Sequence, residues 1–220
     1  QVPTAQRKII EKANFAGKPV ITATQMLKSM TEAPRPTRAE VTDVTNAVLE
    51  GTDAVMLSEE TAMGRFPVEA VATMARIAAE AERWYSREAW RHRLQQAPPE
   101  DDSEAIARSA CALAETIGAK ALVIATQTGG TARLAAKTRP RQPILAGTAD
   151  PEVYRRLALV RGVRPALIRP VDHLRDLLAE LHRAGKASGC MVPGDIVVCT
   201  AGFPLGQAGA SNLIKVEMVP

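Results

Sequence analysis

Three stretches of the chain carry side chains able to do chemistry. The first is Thr22, Thr24 and Gln25, crowded at the end of a β-rich run, KPVIT at 18–22, that Gly17 opens. Polar groups at the C-terminal end of a parallel strand face ligands in α/β folds. Thr24 and Gln25 equally suit the cap of the helix that follows. The second stretch is Ser58, Glu59, Glu60 and Thr61, which follow the apolar run DAVML at 53–57 and repeat that geometry one βα unit later. A strand-end hydroxyl and a solvated or capping acid would read the same way. The third is Thr126, Gln127, Thr128, Gly129, Gly130 and Thr131, between the apolar run ALVIA at 121–125 and a helix. Hydroxyls, pliant backbone and free amides at the positive end of a helix are the ingredients of a phosphate cradle, and also of an ordinary βα turn.

These stretches are positioned by an alternation of strands and helices. Apolar Ala5, Ile9, Ile10 and Ala13 recur at helical spacing over 3–15, so the chain opens inside a helix and a preceding segment is expected. The proline pair at Pro34 and Pro36 blocks regular structure. Thr37-x-x-Glu40 has capping-box spacing for a helix to Glu50 that Gly51 ends. A third helix starts near Pro67 and fades around Trp84, with Val68, Val71, Met74, Ile77 and Ala78 as its apolar face. Pro98, Pro99 and the acids after them mark a linker over 86–102, with room for one short helix at 87–94. Beyond it, Ser103 is placed to cap a helix to Ile117, Asp150-Pro151 opens another to Val160, and Asp172 is placed to cap one over 171–184. Runs at 163–168, 196–200 and 213–219 read as strands, the last two joined by a glycine-rich loop. This pattern predicts an α/β layer.

Composition removes several classes. With 46% hydrophobic residues but only 3% aromatic, cores must be built from Ala, Val, Leu and Ile. The net charge of +4 comes from 28 basic and 24 acidic residues interleaved without a long basic run, so nucleic acid is not indicated. Cys111, Cys190 and Cys199 have neither metal-ligand nor redox spacing and read as core thiols in a reducing cytoplasm. No run of eighteen apolar residues occurs, and no membrane span, metal site or signal peptide is expected.

The run ITATQMLKSM followed by APRPTRAEVTDVTNAVLEGTDAVMLSEETAMGRFPVEAV, about 17–71, resembles pyruvate kinase, and 102–219 resembles the C-terminal domain of the same family. The resemblance implies the tail of a (β/α)8 TIM barrel over 1–85, its last two βα units, then a three-layer α/β regulatory domain over 103–220. It implies transfer of a phosphoryl group from phosphoenolpyruvate to ADP in glycolysis, giving pyruvate and ATP, with Mg2+ and K+ as cofactors. Thr24 would lie beside the methylene carbon of the substrate, and Ser58 and Glu60 would line that pocket. Residues 126–131 would hold the phosphate of an allosteric sugar phosphate or nucleotide, and the loop at 201–210 would close over it.

Two departures from the family pattern stand out: Glu59 where many members carry glycine, and Met63 where many carry a nucleotide-contacting lysine. The family's metal-binding carboxylates and catalytic lysine belong to motifs that this sequence does not contain. Two βα units cannot close a barrel, so 1–85 is not expected to be stable alone, and the chain by itself is expected to be inactive. The PRPTRAE segment with Arg35 and Arg38 matches a family subunit contact, which implies a homotetramer. The alternative is a binding module that captures a phosphorylated metabolite through residues 126–131.

Overall fold

A computed structural model describes residues 2–23, 25–205 and 211–220, and the chain divides into two compact units, 1–86 and 87–220. No helix among the described residues is long and apolar enough to cross a membrane.

The first unit runs α1 (Val2–Phe15), β1 (Ile21–Thr22), a 3-10 turn at Lys28–Thr31, α2 (Arg38–Glu50), β2 (Ala54–Val55), α3 (Glu59–Ala62) and α4 (Pro67–Trp84). The two strands are parallel and pair at only two positions, Ile21 with Ala54 and Thr22 with Val55. The polar ends of the predicted runs bond elsewhere: the Val20 amide donates to the Asp53 carboxylate at 2.9 Å, and Thr52 Oγ1 donates to the carbonyls of Val20 and Ala54. Helix α2 starts with the predicted capping box, Glu40 N donating to Thr37 Oγ1 and Thr37 N to Glu40 Oε2. It ends at Gly51, whose φ of 99° is left-handed.

The core of this unit is Met26, Leu27 and Met30 against Val44 and Ala47 of α2 and Ala70 and Met74 of α4. The buried face of α4 is thus Ala70, Met74 and Ala81, and of the predicted face Val68 is 74% and Val71 54% exposed. Apolar residues cover more than half the circumference of this helix, and small Ala70 and Ala81 are the ones that let it approach its neighbours. The wide stripe hid that choice.

The second unit contains α5 (Arg87–Gln95), α6 (Asp102–Thr116), β3 (Ala121–Ala125), α7 (Gly130–Lys137), β4 (Ile144–Thr148), α8 (Pro151–Leu157), β5 (Val163–Leu167), α9 (Leu174–Ala187), β6 (Ile196–Gly202) and β7 (Ser211–Met218). Its sheet has the order β5-β4-β3-β6-β7, parallel except for the antiparallel β7. Leu122, Ile124, Ile144, Ala146 and Val198 pack on one face against α6, α7 and α8. Ala121, Val123, Leu145, Val197 and Cys199 pack on the other against Leu177, Leu178 and Leu181 of α9. Strands buried on both faces read as continuous apolar runs, which is why ALVIA was legible. The result is a three-layer α/β fold.

Within 86–102, read from sequence as a linker, the residues of α5 are packed into the second unit. Trp90 is 2% exposed and its indole donates to the Lys137 carbonyl at 2.7 Å. Arg91 forks onto Glu115, and Arg108 Nη1 donates to the carbonyls of Leu94 and Ala97. The α6 cap is Asp101, accepting from Glu104 N at 2.7 Å, and not Ser103. Helix α9 begins at Leu174 after His173, with no side-chain cap from Asp172. All three cysteines are free and buried, and burial pushes the Cys111 thiol up to about 11 and the Cys199 thiol to about 12.

Candidate functional site

In the second unit the chain passes from β3 outward through β4 to β5, then returns to lay β6 on the other side of β3. The crevice at the C-terminal ends of strands beside such a reversal is the usual ligand position of open α/β sheets. A cavity of about 460 Å³ lies there, reached by the residues that leave β3, β4, β5 and β6. Its volume suits a small metabolite. A Cβ at Gly147, at the end of β4, would come within 2.3 Å of Leu181 Cδ2 and 3.3 Å of Ile168, so both side chains pack where only a glycine leaves them room unshifted.

Five of the six residues expected to bind an effector line this cavity: Thr126, Gln127, Thr128, Gly130 and Thr131. The sixth, Gly129, turns the chain into α7 with a left-handed φ of 80°. Its amide donates to Thr126 Oγ1 at 3.0 Å, and the Gly130 amide approaches Thr128 Oγ1 at 3.4 Å. The Thr131 hydroxyl is bonded to that of Ser211, which joins the start of α7 to the start of β7. Hydroxyls and the first turn of α7 therefore converge at one end of the cavity, an arrangement that favours an anion. Of the glycine-rich loop, Ala201, Gly202 and Leu205 line the cavity, and 206–210 lie outside the described residues.

Sequence reasoning missed Asp101, Thr148, Arg169 and Asp172, which also line it. The strand-end rule that found Thr126 would have found Arg169 after β5. Arg169 donates from Nε and Nη2 to Glu180 at 3.0 and 2.5 Å, and Arg183 reaches the other oxygen at 2.7 Å. Hydrogen bonds from Arg183, then Arg169, hold the Glu180 carboxyl down to about 2.

In the first unit, Thr24 lies outside the described residues. Gln25 beside it has φ 52°, a left-handed conformation that costs a non-glycine residue about 1 kcal/mol or more. Glu60 is 2% exposed and accepts from the Leu27 amide at 3.0 Å and the Ser58 amide at 2.8 Å. It thus ties together the loops that follow β1 and β2. Burial acts to raise its carboxyl, but the backbone amides of Leu27, Glu60 and Ser58 outweigh it and hold the group below the usual carboxylate range. An ionised carboxylate with both oxygens engaged holds backbone and has no proton to give. Ser58 sits at the entry to α3, and Met63 is 77% exposed. Among the described residues, no three His, Cys, Asp or Glu side chains converge as metal ligands.

Comparison with known proteins adds to this geometry. Residues 1–71 match the family model for the pyruvate kinase barrel domain, and 104–217 that for the pyruvate kinase alpha/beta domain. The pyruvate kinase of Clostridium acetobutylicum is 42% identical over 219 residues, spanning 100% of this chain and 46% of the relative. Pyruvate kinase 2 of a Synechocystis strain is 47% identical over 99% of this chain and 36% of its own length. A crystal structure of a pyruvate kinase from Cryptosporidium parvum superposes with a TM-score of 0.91 at 42% identity, over 99% of this chain and 43% of that one. The chain therefore spans less than half the length of these relatives. With one family model covering more than half of the residues and a second covering most of the first unit, the chain belongs to the pyruvate kinase family.

Proposed function

We propose that this chain works as part of a pyruvate kinase, in which the phosphoryl group of phosphoenolpyruvate passes to ADP and the enolpyruvate left behind takes a proton at its methylene carbon. Thr24, Ser58 and Glu60 belong to the catalytic pocket in this reading, Glu60 by holding the Leu27 and Ser58 amides and Thr24 by its hydroxyl at the substrate carbon. Mg2+ and K+ neutralise phosphate charge in such a reaction. Their ligands fall to the part of the relatives' length that this chain does not span. The second unit is the regulatory one, taking a phosphorylated effector at residues 126–131. The complete enzyme is a cytoplasmic homotetramer whose isologous contacts couple effector to catalysis.

One observation carries this reading: the cavity at the strand ends is lined by the hydroxyl-rich loop in a chain that matches both family domains. Phosphoenolpyruvate-dependent pyruvate formation by the natural gene product, falling in turnover far more than in substrate affinity on Thr24→Val, is the expected result. Unchanged turnover would remove Thr24 from the chemistry. The 220-residue chain alone is expected to give no turnover, and light scattering on the natural product tests the tetramer.

The second reading, a module that only captures a phosphorylated metabolite, is favoured by one fact: every residue lining the cavity lies in the second unit. A natural product with an intact mass near 23.5 kDa would select it.

A further inference from the structure

Helix α9 buries a side chain of the kind that titrates near neutral pH. His182 lies four positions after Leu178, hence on the helix face that covers the sheet, and it is 5% exposed. Its Nε2 is buried and meets no hydrogen-bond partner among the described residues. In a neutral imidazole this nitrogen can be the acceptor, left without a donor. In the protonated ring both nitrogens carry N–H, and a charge is buried as well.

The charges that act on the ring come from its own helix and from the edge of the sheet. Strand β7 pairs only with β6, Lys215 opposite Cys199 and Glu217 opposite Val197. Opposed residues share a face, so this lysine and glutamate stand on the α9 side, where they form an ion pair, and Ile214 packs on the other side. Burial above all holds the imidazole below its ordinary 6.5; Glu217 draws the other way, and Lys186 and Lys215 act with burial. The other charged groups of this layer are engaged elsewhere: Glu180 with Arg169 and Arg183, and Arg164 with Cys190 Sγ. Strands β3 and β4 face α9 with apolar Ala121, Val123 and Leu145. Cys199, its thiol pushed up to about 12 by burial, stays neutral where histidine titrates.

We propose that His182 is a pH-sensitive fastener between α9 and the edge strand β7: the neutral ring packs against the sheet, and the protonated ring draws Glu217 away from Lys215 and loosens both elements. The folded unit favours the neutral ring, so the unfolded chain binds the more protons. The stability that His182 contributes is therefore complete above about pH 6.5 and is lost as pH falls below it. This inference is independent of any ligand or of catalysis.

The test is urea unfolding of the 220-residue chain with and without His182→Leu, in a Trp84→Phe background so that Trp90 of the second unit reports, at about pH 7.5 and about pH 5.5. One group taken about one pH unit below its ordinary value changes an unfolding constant by up to about tenfold. On acidification the constant is expected to rise about three- to tenfold more with His182 than with leucine, and a difference under about twofold overturns the proposal. Should the leucine variant fail to fold, the unaltered chain decides by nuclear magnetic resonance, with exposed His92 and His173 as references. The His182 ring is expected to titrate below both, and amide exchange over 213–218, corrected for its intrinsic rate, to quicken about threefold or more beyond that over 121–125. Titration at or above the references, or exchange in β7 that only keeps step with β3, overturns the proposal. Glu217→Gln is expected to move the His182 titration lower still, and no movement overturns the part given to the edge strand.

Discussion

Lys137→Met removes one cation from a deeply buried ion pair of the second unit. Lys137 Nζ lies 2.7 Å from Glu104 Oε1, with side-chain exposures of 5% and 1%. Deleting one partner of a buried pair typically costs about 3–5 kcal/mol, because the other charge is left without an answer. Here Arg108 still donates to the same oxygen at 2.7 and 3.1 Å, and the Glu100 amide to the second oxygen at 3.0 Å. The expected loss is therefore smaller, about 2 kcal/mol. With a urea dependence of about 2 kcal/mol per molar, the midpoint falls by about 1 M. Trp90 reports it locally, since its indole bonds the Lys137 carbonyl, and Trp84→Phe removes the only other tryptophan. Glu104→Gln added to Lys137→Met should recover at least half of the loss, because Arg108 keeps the carbonyls of Leu94 and Ala97. A single-variant shift below about 0.3 M at unchanged slope, or no recovery in the double variant, would refute the buried-charge account.

Three further outcomes follow from the same geometry. Burial acts to raise the Glu104 carboxyl, but the Glu100 amide, Lys137 and Arg108 hold it down to about 2 against 4.5 when unconstrained. Its contribution is therefore present above pH 4.5 and lost as pH falls towards 2, so wild type and Glu104→Gln should converge in stability across that window. Glu60→Gln sets an amide donor against a backbone donor, and amide exchange at Leu27 and Ser58 should quicken about tenfold or more, with unchanged rates counting against the clamp. Under the proposed effector reading, Thr131→Val, which deletes the hydroxyl that meets Ser211, should weaken binding of a phosphate monoester at least tenfold, read by calorimetry.

What the sequence showed depended on whether a local rule had one solution. Thr37-x-x-Glu40 admits one reading because the box needs both residues at a fixed spacing, and the bonds are as drawn. Strand β3 was legible for a different reason: five apolar residues in a row need cover on both faces. Strand β4 escaped, since Ile144–Thr148 has only three apolar residues before Gly147, and the glycine is explained only by Leu181 lying across it. Asp101, Asp102 and Ser103 can each cap α6, and the Glu104 amide chose the first. Arg169 follows β5 as Thr126 follows β3, so the strand-end rule reaches it once that strand is weighed for a site, whereas Asp172 read only as a helix cap.

The polar residues of the first unit mark why a site and a scaffold are hard to tell apart by residue type. Two strands that pair at two positions satisfy little backbone, and every buried N–H and C=O needs a partner. Side chains supply them: Asp53 takes the Val20 amide, Thr52 the Val20 carbonyl, Glu60 the Leu27 and Ser58 amides, and Glu40 the amides of Ser29 and Thr37. Glu40 also accepts from the Ser29 hydroxyl at 2.5 Å. Burial acts to raise its carboxyl, but these bonds from Ser29 and Thr37 hold it below the usual range. Both carboxylates are thus ionised holders of the loops that leave the strands. In the proposed catalytic reading, a reacting group on the 22–27 segment would keep its place only while Glu60 fixes Leu27 beside the left-handed Gln25, so scaffold and site would share one carboxylate.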